Sequence, residues 1–597
     1  MERIVNAAQM KAIDAFSIQE IGIPSLVLME RAAMAVTDCA EGYLKGACGA
    51  SEGGAAGSCG VRRECKAGAG KEAYVPRAAA VCGYGNNGGD GIAAARMLAH
   101  RGWNAEIWMV GAKERATKEV RAQLAIAQKV GILVREFGND TEFAAYTVII
   151  DALFGIGLAR PIRNEYALAV RRMNESGAKV VSVDIASGIC ADNGAILGEA
   201  VRADATVTFG YRKPGHLLYP GAEYSGEVMT ADIGFPKMAQ EAVIAGRYPE
   251  TEKGAGAPER FPEAAKEKEM LRIAAYTPED LALLPARYPY SNKGSYGKVL
   301  ICAGTRQMSG AAYLSAAAAY HMGAGLVRIL TVTENYPVLA GLLPEALITC
   351  YDAEKLEKRE DETVSLIRSA LNWAGTVVLG PGIGRSGAAG NLVDIVVSEL
   401  KKAESEEPAG KSGNAENAKK AGDAVGSGKE KVCVVDADAL NLLAERLDGE
   451  ERKDVAFRME RLAEYLPKNA ILTPHLLELS RLTGIPVAQI AADLIDTADK
   501  CTYNNELVYV IKDARTITAK GKERVINVSG CEGMATGGSG DVLTGIIAGL
   551  AAGGLAPYQA AGLGVYIHGL AGMAAAKELS GRYMLAGDII RYLPKIV

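Results

Sequence analysis

The sequence predicts an α/β protein built as two successive three-layer domains, each a largely parallel sheet covered by helices on both faces. Three observations carry this. Apolar β-branched runs alternate with helical patterns from residue 78 onward, the alternation fades after Gly234, and a second alternating series begins beyond residue 270. Strands separated by helix-length segments need crossover connections, and crossovers make neighbouring strands parallel. At about 150 residues per domain, 597 residues accommodate such a pair, and 49% hydrophobic content fills its cores.

In chain order, Ala78-Ala-Ala-Val-Cys82 reads as a strand, 90–102 as a helix, and Ala105-Glu-Ile-Trp-Met-Val110 and Thr147-Val-Ile-Ile150 as further strands. Lys179-Val-Val-Ser-Val-Asp184 and Ala205-Thr-Val-Thr-Phe209 complete the first series. Residues 246–270, rich in Glu, Lys, Ala and Pro, read as an interdomain linker. The second series comprises Lys298–Cys302, Leu326–Leu330, Thr376–Leu379, Val432–Val435, Ala470–Leu472 and Leu507–Ile511. Stretches 46–71 and 402–431 carry no periodicity and read as surface insertions. Cys39, Cys48, Cys59 and Cys65 cluster around the first, at spacings that match no zinc pattern.

Lys and Arg number 66 against 71 Asp and Glu, so the net charge of −5 lacks the basic excess a nucleic-acid binder uses against phosphates. Eleven cysteines without a Cys-x-x-Cys pair, several of them inside expected strands, point to a reducing cytoplasm, and the N-terminus has no signal-peptide core. Residues 542–576 contain no charged side chain besides His568. Glycines and Pro557 interrupt them, so Gly553-Gly-Leu-Ala-Pro557 reads as the break between two buried helices, not as part of a membrane span.

Function concentrates in two glycine-rich loops, Gly83-Tyr-Gly-Asn-Asn-Gly-Gly-Asp-Gly91 and Gly533-Met-Ala-Thr-Gly-Gly-Ser-Gly-Asp541, each leading into a helix. Small residues let backbone N–H groups close on phosphate oxygens, and a helix start adds unpaired donors and partial positive charge. Asp90 as a simple helix cap is the plainer alternative. Asp151 and Asp184 close two more strands of the first series, so three strand ends converge on one crevice at the sheet's carboxyl edge.

The loop Asn86 to Asp90, the Asp151 strand end and Val183-Asp-Ile-Ala-Ser-Gly188 resemble the NAD(P)H-hydrate epimerase family, as do Met10, Asp14, Gly22-Ile-Pro-Ser-Leu26 and Leu28-Met-Glu30. The resemblance implies a Rossmann-like domain over residues 1–245. In it Asn86, Asn87, Gly88, Gly89 and Asp90 would cradle the phosphates of the hydrated dinucleotide. Gly155, Ile156, Gly157, Leu158, Ala159, Arg160, Pro161 and Asp184 would line the nicotinamide and ribose, and Asn87, Asp151 and Ser187 would hold a potassium ion. Asp151 is the expected acid/base. Lys213 is expected either on phosphate or on the solvated surface, and Ala186, where the family usually has proline, to loosen its turn slightly.

Asn292-Lys-Gly294, Gly297–Gly304, Ser309-Gly-Ala-Ala312, Gly380-Pro-Gly-Ile-Gly384, Val435–Asn441, Leu472-Thr-Pro-His475 and the 533–541 loop, in this order, resemble the ADP-dependent NAD(P)H-hydrate dehydratase family. A ribokinase-like domain over residues 271–597 is implied. Ala311, Gly382, His475 and Asp541 would contact the hydrated dinucleotide, Lys512, Asp513, Ala514, Arg515, Thr516 and Gly540 the adenine nucleotide, and Asp541 would be catalytic. Magnesium would meet Asp436 or Glu478 through water. Asp513 and Leu477 stand where the family has glycine, with altered nucleotide affinity expected unless Lys512 or Arg515 pairs with Asp513.

The expected protein is thus a bifunctional repair enzyme acting on NADHX, NADPHX and ADP, homo-oligomeric, cytoplasmic, and without nucleic-acid or membrane partners. A vitamin or sugar kinase in the C-terminal half, or a noncatalytic N-terminal module, are the competing readings.

Overall fold

The computed structural model describes residues 1–47, 75–244, 271–406, 431–450 and 452–596. The expected linker, most of both insertions, and Cys48, Cys59 and Cys65 lie outside them. The chain divides into two compact units, Arg3–Arg272, and Ile273–Val597 with Met1–Glu2.

After a short strand β1 (Glu2–Ile4), the first unit builds a seven-stranded sheet from β2 (Arg77–Cys82), β3 (Asn104–Met109), β4 (Leu133–Glu136), β5 (Val148–Ala152), β6 (Lys179–Val183), β7 (Ala205–Phe209) and β8 (Glu227–Ala231). Its order is β4-β3-β2-β5-β6-β7-β8, every pair parallel, which is Rossmann-like. The order reverses between β2 and β5, so a crevice opens beyond their carboxyl ends. β2 and β5 are apolar and buried on both faces, as crossover helices require. Helix Asn86–His100 packs Ile92, Ala93, Ala94, Ala95 and Leu98 into the core; the alanine run keeps it close to the sheet.

The second unit contains β9 (Arg272–Ala275), β10 (Lys298–Cys302), β11 (Leu326–Val332), β12 (Leu347–Tyr351), β13 (Thr376–Leu379), β14 (Val432–Val435), β15 (Ile471–Leu472), β16 (Val508–Ile511), β17 (Ile517–Lys520) and β18 (Glu523–Ile526). They run in the order β9-β18-β17-β16-β15-β14-β13-β10-β11-β12, parallel from β16 to β12, with an antiparallel β16-β17-β18 meander. Here the switch falls between β13 and β10. Helices Ser539–Ala552 and Pro557–Leu579 flank the expected break at 553–556. Among the described residues no helix is long and apolar enough to cross a membrane.

The strands absent from the sequence reading are mostly edges. β4, β8 and β12 end their sheets and are half exposed, so they lack the continuous apolar run that marks a central strand.

Candidate active sites

In the first unit, a cavity of about 610 Å³ opens at the β2/β5 switch. Gly83 and Leu153 leave the two strands in such close contact that a Cβ on Gly83 would lie 2.4 Å from the Leu153 carbonyl oxygen. One on Gly88 would lie 1.8 Å from that of Gly83, so the loop folds back on itself only because these positions lack side chains. The helix begins at Asn86, inside the motif, with Gly85 as N-cap; Asp90 therefore stands one turn in and does not cap the helix.

Of the residues expected from sequence, Asn86, Asn87, Asp90, Gly155, Ile156, Gly157, Leu158 and Asp184 line the cavity. Gly88 and Gly89 are buried beneath the loop, and Ala159, Arg160 and Pro161 are exposed outside the lining. The lining adds Asp14 and Tyr84, which the quoted motifs contain without a role, and Lys11, Arg115, Glu119 and Tyr166, which no motif marked.

Asp151 requires a correction. It is fully buried, outside the cavity lining, with its carboxylate accepting from Ser182 Oγ (2.8 Å), Ser187 N–H (2.9 Å) and, more distantly, Leu153 N–H (3.4 Å). Burial raises its pKa against those hydrogen bonds. The carboxylates that meet the cavity are Asp14, Asp90, Glu119 and Asp184, and the ionisation of Asp90 and Asp184 is split. Burial, then Asp184 and Asp14, pushes Asp90 well above the usual range. At Asp184 burial acts the same way, but Lys213 outweighs it and holds the carboxyl below its ordinary value.

Lys213 also departs from expectation, being neither on the surface nor free to reach phosphate. Fully buried, it donates from Nζ to Asp184 Oδ1 at 2.6 Å and to Thr208 Oγ1 at 2.7 Å. Removing one partner of such a pair leaves a buried, unmatched charge. Lys213→Met is therefore expected to destabilise the unit by about 3–5 kcal/mol at neutral pH. A depressed carboxyl contributes stability above its unfolded pKa, lost as pH falls through the folded one. In the variant, protonation of Asp184 relieves the unmatched charge, so the gap in urea midpoint should narrow toward pH 4; a constant gap would contradict this. Ala186 is fully buried and its carbonyl accepts from Ile189 N–H, so the turn is packed without proline.

In the second unit the β10/β13 switch brings Gly304 N–H to the Pro381 carbonyl at 2.9 Å. Gly382, at φ +62°, approaches Ala311 so closely that a Cβ there would lie 3.0 Å from the alanine methyl. The next strand ends supply Asp436 after β14, His475 after β15 and Lys512 after β16, with Lys512 N–H donating to the Pro474 carbonyl. Gly538, at φ +92°, caps helix Ser539–Ala552 and turns the loop into it. Lys512 Nζ donates to Asp436 Oδ1 at 2.8 Å, and Asp436 Oδ2 accepts from Thr544 Oγ1 at 2.9 Å. A Cβ on Gly540 would lie 3.5 Å from Lys512 Nζ, which ties the cation to the helix start.

Asp541, in that first helical turn, is pushed up to about 6 by burial and Asp436, against the pull of Lys512. Burial would lower Lys512, but Asp436, Glu478 and Asp541 around it raise its pKa. His475 caps helix Leu476–Thr483: its Nδ1 accepts from Leu477 and Glu478 N–H, and its own N–H donates to Glu478 Oε2. Burial pushes Glu478 up to about 7. Asp513 and Ala514 are exposed on the loop after β16; Arg515 donates to the Val528 carbonyl, and Lys512 pairs with Asp436. Thr516 is buried, its hydroxyl donating to the Asp513 carbonyl.

Fold and sites define a two-domain α/β enzyme with one glycine-rich helix start at the carboxyl edge of each sheet. Residues 25–215 match the family described as YjeF-related protein N-terminus, and residues 299–402 and 412–595 match the family NAD(P)H-hydrate dehydratase. The Bifunctional NAD(P)H-hydrate repair enzyme Nnr of Moorella thermoacetica is 32% identical over 605 residues, covering 100% of this chain and 96% of that one. That of Thermofilum pendens is 34% identical over 533 residues, 87% of each. A solved ADP/ATP-dependent NAD(P)H-hydrate dehydratase from Bacillus subtilis, co-crystallized with ATP/Mg2+, aligns with 54% of this chain and 97% of its own, at 26% identity and TM-score 0.41. The chain belongs to the family of bifunctional NAD(P)H-hydrate repair enzymes.

Proposed function

We propose that the first unit interconverts the R and S epimers of NAD(P)HX, and that the second dehydrates the S epimer to NAD(P)H using ADP, giving AMP and phosphate. The observation that carries this is a phosphate-cradling helix start at each switch point with a carboxyl of displaced pKa close by.

For epimerisation, neutral Asp90 gives a proton to the C6 hydroxyl so that it leaves as water, while the ring nitrogen stabilises the planar cation. Water then returns to either face as ionised Asp184 takes its proton. Potassium suits Asn87, Asp151 and Ser187. Asn87 has a buried amide end without a hydrogen-bond partner, where its oxygen would stand after a flip of the group; Asp151 is buried among neutral donors, and every ligand atom would be oxygen. The ion would offset the Asp151 charge and fix the loop.

For dehydration, the 537–541 amides and Lys512 hold the donor phosphates, and Asp541 takes the proton of the C6 hydroxyl as it attacks. The phosphate so formed leaves readily, pushed by the ring nitrogen, and takes the C5 proton as it departs, so that the C5–C6 double bond of the dihydronicotinamide is restored. Magnesium would supply charge neutralisation, meeting Asp436 and Glu478 through water, since Lys512, Thr544 and His475 already bond these carboxylates. Ala311 and Gly382 would meet the nicotinamide nucleotide, and His475, Lys512 to Thr516 and Gly540 would surround the nucleotides. Free, buried Cys82, Cys302 and Cys433 support a cytoplasmic location.

The test supplies an R/S mixture of hydrated NADH with ADP and follows the absorbance of the restored dihydronicotinamide. Full recovery is expected. Recovery of the S share alone would remove the epimerase, and accumulation of a stable phosphorylated product would make the second unit a kinase. The dehydration rate should fall as pH drops through about 6, because the base must be unprotonated and its pKa is raised to that range. A rate level down to pH 4.5 would contradict that role.

A further inference from the structure

We propose that His216 is a positioning residue of the epimerase site, locking the Asp184–Lys213 ion pair by bridging the two main chains. The proposal rests on the reading of the first cavity as an epimerase site.

His216 is buried on the turn Pro214–Leu217. Lys213 N–H donates to its Nδ1 at 3.0 Å, so the ring proton sits on Nε2, which donates to the Asp184 carbonyl at 2.9 Å. Asp184 needs such support. Its φ of +64° lies in the left-handed region, which a side chain disfavours, and strain of this kind persists only where the surroundings fix it. Its N–H donates to the Val207 carbonyl, and its carboxylate accepts from Lys213 and Thr208. Among the described residues His216 alone secures the remaining backbone group, and does so from the residue that also places the Lys213 main chain.

Without the imidazole, a buried carbonyl and a buried N–H lose their partners, and the chain must shift to find others. That shift would fall on the 2.6 Å contact that keeps Asp184 ionised. The charged and titratable groups facing Asp184 are Lys213, Asp14, Asp90 and His216, so a looser Lys213 leaves a carboxylate among carboxyls. Burial, then Lys213, holds the imidazole at about 3, so the neutral bridge persists at working pH.

The experiment measures R-to-S conversion by the full chain from pH 5 to 9, by chromatography of the epimers, for wild type and three variants. His216→Leu should lower kcat about tenfold, leave KM within about twofold, and move the acid limb up by about one pH unit as Asp184 becomes easier to protonate. His216→Gln, whose amide reaches the Asp184 carbonyl, should recover most of the rate. His216→Asn, which reaches only Lys213 N–H, should not. A merely structural histidine would reduce the amount of active enzyme without moving the acid limb. An unmoved limb, or equal behaviour of Gln and Asn, overturns the proposal; the Gln and Asn pair decides it if the leucine variant does not fold. Absence of epimerisation in a wild type that still dehydrates the S epimer overturns the epimerase reading instead.

Discussion

Asp541→Ala is expected to lower ADP-dependent dehydration by about 10²- to 10⁴-fold, the usual contribution of a positioned base. The carboxylate stands in the first turn of helix Ser539–Ala552, next to the Gly540 backbone that Lys512 approaches. Its removal leaves the phosphate cradle in place. Ser315 Oγ donates to the Asp541 carbonyl, a main-chain contact that alanine retains, and Lys512 keeps Asp436. The fold should therefore persist, with a stability signature opposite to the usual one. A carboxyl whose folded pKa is raised to about 6 binds its proton more tightly when folded, so its charge opposes folding increasingly from about pH 4 upward. The melting temperature of the variant should accordingly gain on that of wild type between about pH 4 and 6 and keep that lead at higher pH. Full turnover with ADP would remove Asp541 from the chemistry; lost activity with a collapsed melting temperature would make its role structural.

How far the sequence revealed these sites depends on whether the chemistry was local in the chain. The loops at 83–91 and 533–541 were legible because main-chain phosphate binding needs a run of small residues before a helix, and that run is contiguous. The placement of Gly382 against Ala311 was legible only through resemblance, since it depends on β13 lying beside β10. The role of Lys213 was not legible: a lysine in a Gly-Tyr-Arg-Lys-Pro turn reads as solvated or as facing phosphate, and only the fold reveals that it is buried against Asp184. Asp151 is placed differently from the expectation for a related reason. A strand-end aspartate was expected to face the ligand, yet Val81 and Ser182 flank it in the sheet, and Ser187 comes back over its carboxylate. Period and spacing locate such a residue at the carboxyl edge without saying whether the next turn covers it.

That difference between the two aspartates gives the second large effect. Asp184→Asn, assayed per folded molecule because buried Lys213 loses its counter-charge, should slow epimerisation by about 10²- to 10⁴-fold with little change in KM, since the amide keeps the volume but takes up no proton. Asp151→Asn should behave differently. Its oxygen can still accept from Ser182 and the Ser187 backbone, so what it loses is the negative charge beside Ser187. A hard monovalent cation bound by neutral oxygens alone is held more weakly. The rate of Asp151→Asn should therefore be low at millimolar potassium and climb toward wild type as potassium is raised, while that of Asp184→Asn stays low throughout. Titrating both variants with potassium at constant ionic strength separates the roles. If Asp151→Asn were as slow as Asp184→Asn and indifferent to potassium, Asp151 would be the acid/base after all, and the turn at Ser187 would have to open during catalysis to admit the substrate.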